Sequence, residues 1–402
     1  MEVKMTPLNG MDVAGKRVLL RLDINSPIDP QTKRIVNDNR IKKSLPTLCY
    51  LLDGGAKVAI IAHQGDTLDY QNLIPLKEHA EKLTILSGRE VKYIDDVCGP
   101  AACEAVNALR EGECILLGNL RYLCEEISGF EKEVKLQPCE MLDTWLVRTL
   151  APLFDLYVND AFSAAHRNCP SMTAFQQVLP TAAGFLLFDE YKALYNVLHG
   201  AQKPAVFVLG GAKISDAFGM MEAVCTNGTA DKILACGVTG QVMLLAQGVK
   251  LGNTTEEFLK ARDLFELPMD LAFERDGKRE EIKVEALPAE ISFCDLGAKT
   301  IAAYSAVIAQ AGTIFANGPA GVYENPLFET GTRAIWNAVA NAPGYSVIGG
   351  GDTVSSATKL ADISKIDYVC TAGGAMVRFM SGKKLALVAA MEGAYERAQK
   401  HS

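Results

Sequence analysis

The sequence has no apolar run of about 18 residues, the length that a membrane-spanning helix requires. The segment from Met1 to Gly15 is mixed and charged, and it lacks the apolar stretch of a signal peptide. We therefore expect a cytoplasmic protein that has no membrane partner.

The sequence also has no closely spaced pair of cysteines. Its 11 cysteines lie singly along the chain, and none is part of a CxxC motif. A structural zinc site usually needs such pairs, so none is expected. We expect these thiols to be buried and reduced, as is common in cytosolic proteins.

Positive charge is not in excess either. The 40 lysines and arginines are outnumbered by 48 acidic residues, which gives a formal net charge of −8. This balance argues against a nucleic-acid partner, although a local basic cleft can still bind small anions. Hydrophobic residues make up 49% of the chain, which favours a folded protein, and 402 residues fit two domains.

What the sequence does contain is an alternation of short apolar, β-branched runs with longer helical stretches. Several runs are apolar on both faces, as strands of a parallel sheet covered by helices must be. The alternation predicts an α/β fold with open, doubly wound parallel sheets, in which ligands bind beyond the carboxyl ends of the strands. The predicted strands are Arg17–Leu22, Lys57–Ala62, Cys114–Leu117, Leu156–Asn159, Ala205–Leu209, Lys232–Ala235, Thr313–Ala316, Tyr345–Ile348 and Tyr368–Thr371. The predicted helices are Arg40–Asp53, Cys98–Glu111, Asp216–Cys225, Thr300–Ala311 and Thr330–Asn341.

This pattern occurs twice, which predicts two Rossmann-like domains joined by a helical hinge. The predicted boundaries are 1–181 for the N-terminal domain, 182–200 for the interdomain helix, 201–384 for the C-terminal domain and 385–402 for a terminal helix. The interdomain helix is predicted over Gly184–Leu198, and the terminal helix over Leu385–Gln399. The charged turn Arg275–Arg279 within Leu264–Pro288 indicates a hairpin insertion.

Four glycine-bearing turns directly follow predicted strands in the C-terminal half. Glycines at such places let a phosphate approach backbone N–H groups at a helix N-terminus. None of the four matches the Walker pattern or the dinucleotide GxGxxG, and any one alone is more often a tight structural turn. Their number in one half of the chain favours a phosphate-binding face. The turns are Leu209–Lys213, Asn317–Gly321, Ile348–Thr353 and Thr371–Ala375.

Two side chains in these turns have suitable chemistry for a nucleotide. Lys213 is placed to reach a phosphate at the first turn. Asp352 is a candidate ligand for a nucleotide-bound Mg²⁺, which prefers one or two carboxylates together with phosphate oxygens.

The N-terminal half has cationic candidates instead. Arg40, Arg121 and Arg167 fall near strand or helix ends, and arginine binds phosphate or carboxylate through two parallel hydrogen bonds. Any single arginine is more often a solvated surface residue, and His63 fits an interior histidine equally well. Asp23 and Asn25 lie at another strand end. These residues predict a small-anion site in this half without naming a reaction.

At these residues the chain resembles the phosphoglycerate kinase family over nearly its whole length. Six segments match the family's motifs in the family's order, which makes the resemblance highly specific. The matching segments are Arg17–Pro27 (RVLLRLDINSP), Asn39–Thr47, Tyr157–Arg167 (YVNDAFSAAHR), Leu209–Lys213 (LGGAK), Asn317–Glu324 (NGPAGVYE) and Gly349–Thr353 (GGGDT). Gln64 and the segment Ala316–Gly321 are more similar to archaeal-type members.

The resemblance implies a monomeric, hinge-bending glycolytic kinase that transfers a phosphoryl group reversibly between 1,3-bisphosphoglycerate and ADP. It places the carboxylate substrate on the N-terminal domain, and ATP or ADP with Mg²⁺ on the C-terminal domain. The implied catalytic residues are Arg40, Lys213, Gly350 and Gly373, and Asp352 is the implied metal ligand. The implied substrate-binding residues are Asp23, Asn25, Arg40, His63, Arg121 and Arg167. The implied nucleotide-binding residues are Gly210, Gly211, Ala212, Lys213, Gly237, Asn317, Gly321, Glu324, Gly349, Gly350, Gly351, Asp352 and Thr353.

Several positions depart from the family pattern. Asp66 stands where the family has a substrate-binding arginine, and Gly118 replaces the glutamate of an LLEN motif. Ala217 and Ala372 replace a lysine and a glycine on the nucleotide side. Two alternatives therefore stay open: a related kinase that acts on a different small carboxylate, and a non-catalytic nucleotide-binding protein.

Overall fold

The structure is a computed structural model that describes residues 3–65, 73–246, 264–287 and 292–401. The chain divides into two compact units, of which the first comprises Glu2–Tyr191 with Lys384–Ser402 and the second Lys192–Lys383. Among the described helices, none is long and apolar enough to cross a membrane.

The first unit is built on a parallel sheet of six strands within the described ranges. The strand order across the sheet is β3-β4-β2-β1-β5-β6, and every pairing is parallel. The strands are β1 (Arg17–Leu22), β2 (Lys57–Ile61), β3 (Val91–Tyr93), β4 (Cys114–Leu116), β5 (Leu156–Asp160) and β6 (Thr181–Ala183). The helices are α1 (Asn39–Asp53), α2 (Lys77–Ser87), α3 (Pro100–Ala108), α4 (Ser128–Val134), α5 (Trp145–Leu150), α6 (Pro170–Thr173) and the first part of α7 (Phe185–His199).

Strand β1 shows why this sheet needs helices on both faces. Val18, Leu20 and Leu22 point into one hydrophobic cluster that also contains Ile41 of α1. Leu19 points the other way, into a second cluster that contains Val106 of α3. Successive side chains of a strand alternate between faces, so a run that is apolar throughout must be covered on both.

The second unit has its own parallel sheet, also of six strands among the described residues. The order is β15-β14-β13-β7-β8-β9, and a separate antiparallel sheet has the order β11-β10-β12. The strands are β7 (Ala205–Leu209), β8 (Lys232–Ala235), β9 (Phe265–Glu266), β10 (Asp270–Arg275), β11 (Lys278–Lys283), β12 (Phe293–Leu296), β13 (Thr313–Asn317), β14 (Tyr345–Gly349) and β15 (Tyr368–Cys370). The helices are α8 (Ile214–Thr226), α9 (Gly237–Ala246), α10 (Ala298–Ala309), α11 (Thr330–Asn341), α12 (Gly351–Leu360) and α13 (Gly374–Met380). The predicted α/β fold with two parallel sheets is thus confirmed.

The terminal helix α14 (Ala386–His401) belongs to the first unit, a placement that the sequence did not predict. The backbone N–H of Leu387 donates to the carbonyl of Ala165 over 3.0 Å. Leu387 is fully buried and Met391 nearly so, and the apolar stripe of this helix therefore forms part of the core of the first unit.

Some predicted element boundaries were wrong. The helix predicted over Cys98–Glu111 begins only at Pro100, because the Asp96 carboxylate accepts hydrogen bonds from Gly99 N (2.8 Å) and Ala102 N (3.0 Å) and so caps the first turn. The prediction also missed the short strands β3, β6 and β9. The hairpin prediction is confirmed, since Asp276 and Gly277 turn with φ of 52° and 74° between β10 and β11, but β12 adds a third strand to it.

The cysteines only partly follow the expectation of buried thiols. All 11 are free, and five of them are buried. Cys124 and Cys139 are exposed, so the expectation was wrong for these two. Both lie between β4 and β5, on either side of the mostly exposed helix α4.

Candidate active site

The predicted anion-binding residues of the first unit lie beyond the carboxyl ends of adjacent strands. Asp23 follows β1, His63 follows β2, Arg121 follows β4 and Arg167 follows β5. Because β4, β2, β1 and β5 are neighbours in the sheet, their carboxyl ends lie side by side. The chain order reverses direction between β1 and β5, which is where such sheets bind ligands.

Asp23 and Arg40 form an ion pair at this edge of the sheet. Arg40 Nη1 lies 2.8 Å from Asp23 Oδ2 and 3.1 Å from Oδ1, and Asp23 is almost fully buried. The hydroxyl of Ser163 donates to Asp23 and accepts from Arg40 Nη1 at 3.3 Å. All three contacts use a single guanidinium nitrogen, Nη1. The ion pair fixes the arginine without using its other N–H groups.

His63 is held as a neutral imidazole. Burial and then the positive charges of Arg21, Arg121, Arg40 and Arg167 hold the pKa of His63 well below its usual range. Arg21 Nη2 donates to His63 Nδ1 over 2.8 Å, because a guanidinium nitrogen has no lone pair to accept with. The proton of the neutral ring therefore resides on Nε2, which makes this nitrogen a hydrogen-bond donor.

Arg121 and Arg167 belong to the same cationic group. Burial and then the charge of Arg167 lower the pKa of Arg121, and both arginines act on His63. Arg121 Nη1 donates to the carbonyl of Glu126, and Arg167 Nε donates to Glu131 Oε2 over 2.6 Å. Arg121 Nε and Arg167 Nη2 are buried and have no hydrogen-bond partner among the described residues. Buried donors without partners are rare in folded proteins, so the two atoms are suited to an anion.

A hydrogen-bonded network behind this cluster fixes the loops that carry it. Gln64 accepts from Ser26 N (2.8 Å), donates to Ser26 O (2.9 Å) and donates through its own backbone N to Asn119 Oδ1 (3.1 Å). Asn119 Nδ2 returns a bond of 2.9 Å to Gln64 O. Asn25 accepts from the backbone N–H of Gly65 over 3.1 Å. The predicted substrate residue Asn25 thus orders the loop after β2.

Two of the positions that depart from the family pattern lie in this unit. Gly118 packs against the loop before α3, and a Cβ there would lie 3.1 Å from backbone atoms of Asp96 and Val97. The family's glutamate does not fit there without a shift of that loop. Asp66 lies outside the described residues.

Sequence reasoning missed several residues of this cluster. Arg21 carried a signal, since it is a charged residue in the middle of an apolar strand that is buried on both faces. Ser163, Glu126 and Glu131 carried no comparable signal, because their role depends on which loops the fold brings together.

In the second unit the predicted phosphate turns meet between β7 and β13. Gly210 N donates to Asn317 O over 2.8 Å, and Gly211 N donates to Pro319 O over 3.0 Å. A Cβ on Gly318 would lie 2.3 Å from the carbonyl carbon of Gly210. Only glycine lets the two loops approach this closely, and Gly318 also has a φ of 90°.

The phosphate turns line a cavity of about 130 Å³. The N-terminal ends of α8, α12 and α13 all contribute to it, and helix N-termini attract anions. The predicted residues that line it are Gly210, Gly211, Ala212, Lys213, Asn317, Gly350, Gly351, Asp352, Thr353 and Gly373. Asp216, which the sequence reasoning did not select, lies here as a second carboxylate.

An adjoining cavity of about 160 Å³ shares Gly211, Ala212 and Pro319 with the first. The predicted residues Gly237, Gly321 and Glu324 line it. Its walls include the apolar side chains of Val238, Leu271, Phe293, Leu296 and Val322. Such an apolar slot beside a polar, amide-lined cavity has the shape of a nucleoside site next to a phosphate site.

The glycines of the turns after β14 and β15 differ in their surroundings. A Cβ on Gly349 would lie 2.1 Å from Met376 Sδ, so this residue is packed inside the protein and contributes its carbonyl to Asn317 Nδ2 at 2.7 Å. Gly351 and Gly373 face open space, where a Cβ would meet no atom within 4 Å. Both glycines also line the phosphate cavity.

Asp352 and Asp216 fit a metal only in combination with a nucleotide. Among the described residues there is no group of three or more His, Cys, Asp or Glu side chains that could hold a metal ion. Mg²⁺ bound with a nucleotide needs only one or two carboxylates, since phosphate oxygens and water supply its other ligands. The two carboxylates lining the phosphate cavity satisfy that requirement.

The sequence and the fold were compared with those of known proteins. A family model described as "Phosphoglycerate kinase" matches residues 8–383. The chain belongs to the phosphoglycerate kinase family. It is therefore a nucleotide-binding kinase, a phosphotransferase of glycolysis.

Individual relatives cover nearly the entire chain. The chain is 38% identical to a phosphoglycerate kinase of Methanothermobacter thermautotrophicus over 97% of both chains, and 39% identical to one of Thermococcus onnurineus over 95% of both. The crystal structure of phosphoglycerate kinase from Pyrococcus horikoshii OT3 matches with a TM-score of 0.83 and 35% identity, covering 98% of this chain and 100% of that one. The structure of phosphoglycerate kinase from Coxiella burnetii gives a TM-score of 0.81 with 30% identity, over 98% of this chain and 100% of that one.

Proposed function

We propose that the chain transfers a phosphoryl group reversibly between 1,3-bisphosphoglycerate and ADP, giving 3-phosphoglycerate and ATP. The main support is the group of arginines around neutral His63, two of which have buried N–H groups without a hydrogen-bond partner in the part of the chain that the structure describes. This group suits an acid that carries both a carboxylate and a phosphate. The relatives named above carry the name of the same activity.

The reaction needs no general base on this assignment. A carboxylate is ionised at neutral pH, so one of its oxygens can attack the γ-phosphorus of ATP directly while the bond from that phosphorus to the bridging oxygen breaks. ADP leaves with the bonding electron pair, and no proton moves. The barrier then depends on positioning two anions and on neutralising the charge of the moving group.

On the substrate side, Arg121 and Arg167 would bind the acid, and His63 would donate a hydrogen bond from Nε2. Asp23 would hold Arg40 by Nη1, so that the remaining N–H groups of Arg40 face the transferred phosphoryl group. Asn25 would act by ordering the loop that begins at Gly65.

On the nucleotide side, Lys213 and the helix ends at Gly350 and Gly373 would neutralise the phosphates. Gly237, Gly321 and Glu324 would hold the nucleoside. Asp352, with Asp216 beside it, would hold Mg²⁺, which screens the charge of the phosphate oxygens when bound. Thr353 would keep the turn in place, since its hydroxyl accepts from Gly318 N over 2.7 Å.

A coupled assay tests the assignment directly. ATP consumption with 3-phosphoglycerate should exceed that with a panel of other small carboxylic acids. Turnover of another acid without turnover of 3-phosphoglycerate would support the alternative of a related kinase, which the names of the relatives do not favour. ATP binding without turnover of any acid would support a non-catalytic protein.

Asp66 stands where the family has a substrate-binding arginine, so a substitution there tests whether the substrate is 3-phosphoglycerate or another acid. Asp66→Arg should raise the affinity for 3-phosphoglycerate if the native aspartate tunes specificity away from it, because the substitution replaces a repelling charge with an attracting one. Unchanged affinity would show that Asp66 lies away from the bound acid.

We further propose that the protein acts as a cytoplasmic monomer. We also propose that the functional domains have the boundaries predicted from the sequence, with residues 182–200 as the helix between them. Sedimentation at several protein concentrations tests the oligomeric state, and a concentration-dependent sedimentation coefficient would contradict it.

A further inference from the structure

Helix α4 carries one side chain that touches the anion-binding cluster. The helix is mostly exposed, and Glu131 is its half-buried acidic residue. Glu131 Oε2 lies 2.6 Å from Arg167 Nε, and the side chains of this ion pair are only 20% and 13% exposed. This is not a solvated surface pair of the kind that contributes little.

The same carboxylate also binds the backbone beside the arginine. Glu131 Oε1 accepts from the backbone N–H of Asn168 over 2.9 Å, and Asn168 Nδ2 donates over 2.9 Å to the carbonyl of Leu136, just after α4. Glu131 therefore fixes both the side chain of Arg167 and the chain that follows it. A carboxylate held at both oxygens has little freedom to move away.

The ion pair with Glu131 uses only one nitrogen of the Arg167 guanidinium, and its position determines which other nitrogens can bind a ligand. Glu131 takes Nε, the nitrogen nearest the backbone, while Arg167 Nη2 is buried without a partner among the described residues. Arg167 also contributes to the positive field at His63 and Arg121, so its charge lies near the cluster. The outer nitrogen Nη2 is thus available to an anion while the inner nitrogen Nε is anchored.

We propose that Glu131 is a positioning residue for phosphoglycerate binding, which holds Arg167 by Nε so that its outer N–H groups face the substrate anion. The inference rests on the proposed function, because it takes the anion to be the substrate. Without Glu131 the long arginine side chain has to be ordered anew by each substrate molecule, and this ordering weakens binding.

Steady-state kinetics of Glu131→Ala, Glu131→Gln and Glu133→Ala test the proposal. Glu133 is an exposed residue of the same helix, so its replacement removes the same charge without the contact. Glu131→Ala should raise KM for 3-phosphoglycerate on the order of tenfold, with kcat and the KM for ATP changed less than about twofold. Glu131→Gln should raise it less, because its amide oxygen still accepts from Nε. Glu133→Ala should behave like the wild type.

The possible outcomes separate the two proposals. An unchanged KM for 3-phosphoglycerate in Glu131→Ala would overturn the inference while leaving the proposed function intact. A lowered KM would also overturn it, since Glu131 would then compete with the substrate for Arg167. A wild-type protein that does not turn over 3-phosphoglycerate would overturn the proposed function and this inference together. If Glu131→Ala does not fold, calorimetric binding of 3-phosphoglycerate to Glu131→Gln and to the wild type decides the question.

Discussion

At the scale of single residues, Arg40 is anchored through one nitrogen of its guanidinium group. Nη1 contacts both oxygens of Asp23 and the hydroxyl of Ser163. A lysine carries its three donors on a single nitrogen, so it cannot bind Asp23 through one nitrogen and present a second nitrogen to another anion. If Arg40 faces the transferred group as proposed, this position needs a planar guanidinium, and a positive charge alone should not be sufficient.

Arg40→Lys should lower kcat on the order of 10²- to 10³-fold, because it removes contacts that neutralise the transferred group. The matched control is Arg34→Lys, since Arg34 is an arginine with a side chain that is 69% exposed and pairs with Glu78 at 3.8 Å. The control should retain nearly full activity. An Arg40→Lys enzyme with wild-type kcat would show that Arg40 does not face the reacting group.

His63 provides a second residue-scale prediction. Because burial and four neighbouring arginines hold its pKa well below the usual range, His63 should stay neutral from pH 8 down to pH values at which free histidine is mostly protonated. The imidazole signals of His63, assigned with His63→Gln, should not shift in NMR spectra between about pH 8 and pH 6. A titration near the ordinary histidine value would contradict the arrangement described here.

At the scale of elements, the turn between β14 and α12 depends on its backbone conformation. Gly350 has a φ of 103°, and a Cβ there would lie 2.6 Å from Asn317 Nδ2. Gly350→Ala should reduce the free energy of unfolding by about 1–3 kcal/mol, because an L-residue is strained in this region. Gly351→Ala is the control for stability, since its Cβ would meet no atom within 4 Å and the position begins a helix. Equal denaturation midpoints for the two variants would contradict the prediction.

The elements also show what the sequence could and could not predict. β1 and β7 were predicted with their observed bounds, because an apolar run buried on both faces leaves few alternatives. β3 and β6 were missed, because VKY and TAA are not apolar β-branched runs, whereas the equally short β4 and β15 lie in apolar stretches that the pattern identified. In the site, residues at strand ends were recognised, as Lys213 was. Glu131 and Asp216 could not be, since their positions depend on contacts between segments distant in sequence.

At the scale of the whole molecule, a buried carboxylate links stability to pH. Asp160 is fully buried at the end of β5, where it accepts from Leu187 N over 3.0 Å, and burial raises its pKa to about 7. Between the unfolded value near 3.8 and about 7, the folded protein binds more protons than the unfolded chain. The contribution of Asp160 to stability is therefore fully present below pH 4 and is lost as the pH rises towards 7.

Asp160→Asn should remove this dependence, because an amide does not titrate but can still accept the hydrogen bond from Leu187. The difference in denaturation midpoint between variant and wild type should increase in favour of the variant from about pH 5 to about pH 7.5. The measurement is urea unfolding at a series of pH values. Parallel curves for the two proteins would show that Asp160 does not titrate in this range.

Asp295 is a second buried carboxylate, and burial raises its pKa to about 6. It should change the stability of both proteins with pH in the same direction, so it does not affect the difference between them.

Because α14 belongs to the first unit, we expect it to affect the order in which the two units can fold during translation. Almost all of that unit is translated early, yet Leu387 and Met391, which are part of its core, are translated only after the whole of the second unit. The second unit is contiguous in sequence and has all its parts earlier. We therefore expect the nascent N-terminal portion to keep an apolar surface uncovered until α14 has been translated, and a premature stop near residue 384 to leave that surface uncovered permanently.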